Sequence, residues 1–168
     1  ELHYQDASKY GTKEDNLCQL EAVLERHPQV VFQIPHFGAQ PEIHRLLNLG
    51  SWLDRFPNVI LDTASSRWMA RELSKDVRKA REFLMKYSDR ILFGTDLSAN
   101  RGNLEYFGAR YLAQRYLWET NVQSEPLPFE DADTKDSGGT FINGLDLPLS
   151  TLQKLYWENA IRIYGTPG

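Results

Sequence analysis

The chain has 168 residues, enough for one domain with its own core, and 41% hydrophobic and 25% charged residues mark it as globular. A net charge of -4 without a basic stripe argues against a nucleic-acid or anionic-membrane surface, and no apolar run approaches the roughly 20 residues of a membrane span. Cys18 is the only cysteine, which excludes an internal disulfide and a zinc knuckle and points to a reducing, cytoplasmic compartment.

The opening Glu1-Leu2-His3-Tyr4-Gln5 has neither the basic nor the apolar region of a signal peptide. It also lacks an initiator Met and begins in mid-element, so a piece of a longer protein is expected. Residues 12–26 read as a helix, with Leu17, Leu20, Val23 and Leu24 on one face, Thr12 as cap and Asp15 three residues on. His27-Pro28 stops it. The run 30–34 follows as a nearly continuous apolar strand, the pattern of a strand covered on both faces. Pro35-His36-Phe37-Gly38 then turns the chain and presents His36 at the strand's carboxyl end.

Pro41 suits the first position of a second helix, with Ile43, Leu46, Leu47, Gly50, Leu53 and Phe56 inward. Pro57-Asn58 ends it, and 59–63 is a second buried strand whose tip is the loop Ala64-Ser65-Ser66-Arg67. A helical region from Trp68 breaks near Ser74, a candidate cap, and carries Val77, Ala80, Phe83, Leu84 and Tyr87 on its apolar stripe. The third strand, 91–95, ends in Gly94-Thr95-Asp96. Strand starts roughly 30 residues apart are the span of βαβ units, so a parallel sheet with outer helices is expected.

Beyond Asp96 the period breaks. The stretch 106–120 is rich in aromatics and reads as helical, and 121–140 as a long loop whose acidic tract, Glu130 to Asp136, is expected to be solvated. A last helix opens near Leu147, with Ser150 as candidate cap and Leu152, Leu155, Tyr156, Ala160 and Ile163 inward.

Parallel strands place their tips at one end of the sheet, where ligands of such proteins bind. His36 and Asp96 come from strands separated by one other, with backbones roughly 10 Å apart, so both side chains can reach a common ligand. A carboxylate and a neutral imidazole suit a divalent metal, and metal-bound water would be the nucleophile of a hydrolysis. The competing readings are an Asp that caps the next helix and a His that is hydrogen-bonded scaffold. Arg67 could grip a substrate carboxylate or form a rim salt bridge. His27 reads as a helix cap and His44 as solvated, and Asp62 is left out of the site.

Several stretches together resemble the carboxyl-terminal half of the amidohydrolase-related (amidohydrolase 2) family, the branch that includes aminocarboxymuconate semialdehyde decarboxylase. They are Pro35-His36-Phe37-Gly38; Leu53-Asp54-Arg55-Phe56-Pro57-Asn58-Val59 with Leu61-Asp62; the run from Lys86-Tyr87-Ser88-Asp89-Arg90 through Asp96; and Leu155-Tyr156-Trp157-Glu158-Asn159-Ala160-Ile161-Arg162-Ile163-Tyr164-Gly165.

The resemblance implies the carboxyl-terminal half of a (β/α)8 TIM barrel, with residues 1–168 as one partial domain. It implies one divalent metal, zinc as the first expectation and manganese as the second. Asp96 would be the eighth-strand metal ligand and proton handler, His36 the sixth-strand histidine beside the metal, and His3, followed by Asp6 and Asn16, the fifth-strand ligand. The family's first-strand His-x-His pair occurs nowhere in this chain.

The implied function is metal-dependent hydrolysis of a small organic acid, lactone or amide-type substrate. The alternatives are a decarboxylase of the same family and a non-catalytic barrel fragment or scaffold. The implied partners are the small substrate and the missing amino-terminal half of the barrel, with a homodimer open and no nucleic acid or membrane. A phosphate-binding doubly wound domain is disfavoured because no Gly-rich loop follows any strand.

Overall fold

Thr12 starts the first full helix for the reason its sequence suggests. Its hydroxyl accepts the Asp15 amide at 3.1 Å, and the Asp15 carboxylate accepts the Thr12 amide at 2.9 Å, so two otherwise orphaned donors are satisfied reciprocally. The structure, a computed structural model, describes residues 6–99 and 103–166. Helix α1 (Lys13–Arg26) turns Leu24 fully inward and ends where the His27 amide closes on the Val23 carbonyl.

The second helix begins later than its proline suggests. A 3-10 turn, Ile43–Arg45, precedes α2 (Leu46–Arg55). Leu46, Leu49, Gly50 and Leu53 form the buried stripe, whereas Leu47, expected inward, lies beside that stripe and is 89% exposed. The region after the second strand divides as expected near Ser74, but Ser74 closes α3 (Ser66–Leu73) instead of opening the next helix. The cap of α4 (Val77–Lys86) is Asp76, whose carboxylate accepts the Lys79 amide at 3.0 Å, while the Ser74 hydroxyl accepts the Asn143 amide at 3.0 Å.

Three parallel strands, β1 (Phe32–Ile34), β2 (Val59–Asp62) and β3 (Ile91–Leu92), pair in the order β1-β2-β3. The architecture is α/β with a parallel sheet and connecting helices, as the βα spacing predicts. Phe32 pairs with Val59, Ile34 with Leu61, Leu61 with Ile91 and Asp62 with Leu92. Two strands are shorter than their apolar runs, for different reasons. The carbonyl of Val30 is taken by the Asn58 side chain at 2.7 Å, so residues 30 and 31 stay outside the ladder. The amide of Phe93 leaves the sheet for the Leu155 carbonyl at 2.9 Å, a carbonyl inside the π-helical stretch Lys154–Glu158, where the wider turn loosens the regular bonding pattern.

Strand residues alternate between faces. Phe32, Ile34, Val59, Leu61 and Ile91 join the main core with Leu49, Trp52, Leu53, Met69, Leu73 and Leu84. Ile60 and Leu92, on the opposite face with Gln33 and Asp62, are also buried but lie outside that cluster. Each fully buried Leu or Ile contributes roughly 2 kcal/mol of transfer free energy, so the helix-covered face carries most of the hydrophobic stabilisation.

Helix α5 (Leu104–Glu119) is capped by Asn103, whose side chain accepts the Tyr106 amide at 2.7 Å, and it packs Ala113, Gln114, Leu117 and Trp118 inward. The segment expected as a long loop, 121–140, contains β4 (Glu125–Pro126), which pairs antiparallel with β5 (Phe141–Ile142). The chain ends in α6 (Leu149–Gln153), the π stretch and α7 (Asn159–Tyr164), with Pro148 and not Ser150 at the cap position. Asn159 donates its side-chain amide to the carbonyls of Ser88 and Ile91 at 2.7 and 2.8 Å, which ties this last element to the start of β3. No described helix is long and apolar enough to cross a membrane.

Candidate functional site

The three strand tips lie at one end of the sheet because the strands are parallel. At the β1 tip the backbone turns left-handed. His36 has φ 55° and ψ 41°, Phe37 φ 57° and ψ 41°, and Gly38 and Ala39 continue at positive φ. Left-handed backbone costs an L-residue with a side chain roughly 1–2 kcal/mol, so a turn holding His36, Phe37 and Ala39 there must be held from outside. It is held twice. The Phe37 ring is fully buried against Phe83 with ring centroids 5.5 Å apart, and the His36 amide donates to Asp62 Oδ1 at 3.0 Å.

The imidazole of His36 is partly buried, and its Nδ1 is a buried atom without a hydrogen-bond partner among the described residues. A buried polar atom with no protein partner is uncommon and is a place for a water, a ligand or a functional contact. The ring lines a concavity of about 670 Å³ beside β1, together with Lys13, Asn16 and Leu20 of α1.

At the β3 tip the backbone beyond Leu92 runs irregularly to Asp96, which also has positive φ, 58°. Asp tolerates this region better than most residues. Its carboxylate is exposed and makes no hydrogen bond or ion pair among the described residues. The peptide leading to it is well held. Gly94 donates its amide to the Thr63 hydroxyl at 3.0 Å, and its carbonyl accepts Gln114 Nε2 at 2.9 Å. The Ser66 hydroxyl donates to the Thr95 carbonyl at 3.3 Å. Gly94 also packs closely here: a Cβ at this position would lie 3.1 Å from the Ala64 amide nitrogen, a contact that requires the Ala64 backbone to give by a few tenths of an ångström.

The structure therefore puts His36 and Asp96 on tips at the same end of one sheet, with β2 between them. It does not bring them into one cavity, since Asp96 does not line the concavity at His36. His3 lies outside the described residues. Arg67, near the start of α3, sets its Nε 3.6 Å from Asp131 and is 41% exposed, and its guanidinium makes no hydrogen bond among the described residues. His27 and His44 are exposed.

Two parts of the surroundings were not anticipated. Asp62, left out of the site, is 7% exposed and accepts the amides of His36 and Ala64, both at 3.0 Å, and the Gln33 side chain at 2.9 Å. The signal available in the sequence was a single carboxylate closing an otherwise apolar strand. Asp131, expected to be solvated, has a fully buried side chain. Arg71 Nη1 reaches it at 2.8 Å and the Thr140 hydroxyl at 2.7 Å. Burial pushes the Asp131 carboxyl up, but the Thr140 hydroxyl, the Asp133 amide and the Arg71 guanidinium outweigh that and hold it below its ordinary value. Burial likewise disfavours the charge on Arg71, and Asp133 and Asp131 more than restore it.

As donors, the Asp96 oxygens and a histidine nitrogen have the right chemistry for a divalent cation. The number is short: among the described residues no three His, Cys, Asp or Glu side chains gather closely enough to hold a metal.

A family model described as Amidohydrolase matches residues 6–166. None of the curated proteins matches the chain. Among solved structures, the crystal structure of an amidohydrolase from Burkholderia multivorans with bound HEPES is similar at 17% identity and a TM-score of 0.49, over 92% of this chain and 51% of that one. The chain thus spans about half the length of that protein.

Proposed function

This chain belongs to the amidohydrolase family, and we propose that it forms the carboxyl-terminal half of a metal-dependent hydrolase barrel acting on a small organic acid, lactone or amide-type substrate in the cytoplasm. The observation that carries the reading is the pair of tips. His36 and Asp96 stand at the same end of a parallel sheet, both on left-handed backbone, the first with a buried and unpartnered Nδ1 and the second with a carboxylate free of partners among the described residues. Strain and unspent hydrogen-bonding capacity at strand tips are features of sites more than of scaffolds.

In this proposal Asp96 and His3 hold one divalent cation, zinc or manganese, with the remaining donors supplied by the amino-terminal half of the barrel. When bound, such an ion acts as a Lewis acid on a substrate carbonyl and an attacking water. Asp96 accepts the proton of the attacking water, and His36, facing the same end, polarises the carbonyl or passes a proton to the leaving group. Arg67, whose guanidinium makes a long ion pair with Asp131 and no hydrogen bond among the described residues, offers its remaining donors to a substrate carboxylate. Among the described residues β1 pairs with β2 alone, and its other edge is where the amino-terminal half would continue the sheet. A second copy of the chain remains a candidate partner.

The test uses the full-length protein, a panel of lactones, amides and aromatic acids, and isotopically labelled water. Hydrolysis with label in the product, falling by about 100-fold or more in Asp96→Asn, is the expected result. Release of carbon dioxide without label in the organic product would move the chemistry to decarboxylation. Turnover unchanged in Asp96→Asn would remove Asp96 from the reaction.

A further inference from the structure

We infer that the tip of β2 is the positioning element of the site, with Asp62 setting His36 and Thr63 setting the peptide that carries Asp96. The inference rests on the roles proposed above for His36 and Asp96. Asp62 and Thr63 are successive residues at the end of the middle strand, so one strand end lies between the two functional tips.

Toward β1, the Asp62 carboxylate is held, among the described residues, by three amide donors. One oxygen takes the His36 and Ala64 amides and the other the Gln33 carboxamide. The bond to the His36 amide acts directly on the residue whose backbone is strained, and an ionised acceptor makes it a strong one. Toward β3, the Thr63 amide donates to the Leu92 carbonyl at 3.0 Å, extending the pairing past the strand. The Thr63 hydroxyl then both donates to the Gly94 carbonyl at 3.2 Å and accepts the Gly94 amide at 3.0 Å. Gln114 seals the junction from α5, with one amide nitrogen shared among the Thr63 carbonyl, the Gly94 carbonyl and the Ser66 hydroxyl, and its own oxygen taken by the Trp118 indole.

A strand that only needed cohesion would use its ladder bonds. Here side chains are spent on the backbone of His36 and of the two residues before Asp96. Asp62 and Thr63 touch no substrate atom in this scheme, and they act through the residues they hold. Side chains that hold a working residue without touching the substrate decide how precisely a site is assembled.

The experiment is amide hydrogen exchange on the full-length protein at His36 and Gly94, paired with zinc affinity from competition with a chromophoric chelator. Asp62→Leu is expected to speed exchange at His36 by about tenfold or more and to leave zinc affinity within about threefold. Asp62→Asn keeps an oxygen for the His36 and Ala64 amides and should restore His36 exchange to within about threefold of wild type. Thr63→Val, nearly isosteric, should do the reverse: faster exchange at Gly94, zinc affinity down by about tenfold, and His36 unmoved. Loosening of both tips alike by either variant, or no change at either tip, overturns the inference. If Asp62→Leu does not fold, Asp62→Ser, whose shorter side chain withdraws the acceptor from the His36 amide, takes its place with the same expectation at His36, and Thr63→Val decides the β3 half. Absence of zinc binding by the wild type would defeat the metal reading, and the two amides would still judge the positioning role.

Discussion

The tips of β1 and β3 carry the two candidate functional side chains in opposite ways. At β1 the side chain is half hidden and the backbone is strained over several residues, anchored by a buried phenylalanine and a buried carboxylate. At β3 the side chain is exposed, the residue tolerates its own conformation, and the restraint falls on the peptide just before it. The imidazole sits on a turn fixed by packing of its neighbour Phe37, whereas the carboxylate is exposed and follows a peptide fixed by hydrogen bonds. That difference suits a directional proton partner at one tip and an oxygen donor that adapts to a ligand at the other.

The largest expected effect strikes the β1 anchor. Phe37→Ala removes a ring with no exposure and should cost about 4 kcal/mol in chemical denaturation of the full-length protein. A loss below about 1 kcal/mol would mean that the β1 turn is not held by packing.

Next comes the carboxylate beyond the tips. Asp131→Ala leaves Arg71 without its buried partner and should cost about 3 kcal/mol. The pH dependence has a definite sign. The folded Asp131 carboxyl lies below its ordinary value of 3.8, so its contribution is fully present above that value and is lost as pH falls through the lower folded one. Acid unfolding should therefore begin at higher pH in Asp131→Asn, as followed by circular dichroism. An unchanged acid limb would show that the ion pair does not stabilise the fold.

Smaller effects separate strain at the two tips. His36→Gly should raise stability by about 1 kcal/mol while removing the imidazole, because glycine adopts positive φ freely. Asp96→Gly should raise it by only about 0.3 kcal/mol, because Asp already tolerates that conformation. Equal gains at both sites, in urea midpoints, would contradict the contrast between the tips.

Much of this architecture is legible in the chain. The capping box at Thr12, the break near Ser74, and the three apolar runs and their spacing all report local or periodic physics, and each is found close to where the pattern puts it. What is not legible depends on partners far along the chain. The β3 strand is short because Leu155 offers its carbonyl to Phe93, and β1 begins late because Asn58 takes the carbonyl of Val30. Asp131 looks like one more charge in an acidic tract, and only Arg71 and Thr140 make it a buried anchor. Asp62 has the same history. Its value lies in amides of the neighbouring tip, which no spacing rule assigns to it. Of the candidate site, the strand-end turns that carry His36 and Asp96 are legible in the sequence, while the groups that hold those turns are not.

The most direct measurement is the divalent metal content of the full-length protein after exhaustive dialysis, by elemental analysis, for wild type and Asp96→Ala. We expect about one ion per chain in the wild type and a loss of about tenfold in affinity in the variant. A wild type with far less than one ion per chain, or a variant that holds its metal as tightly as the wild type, would contradict the assignment of Asp96 as a ligand.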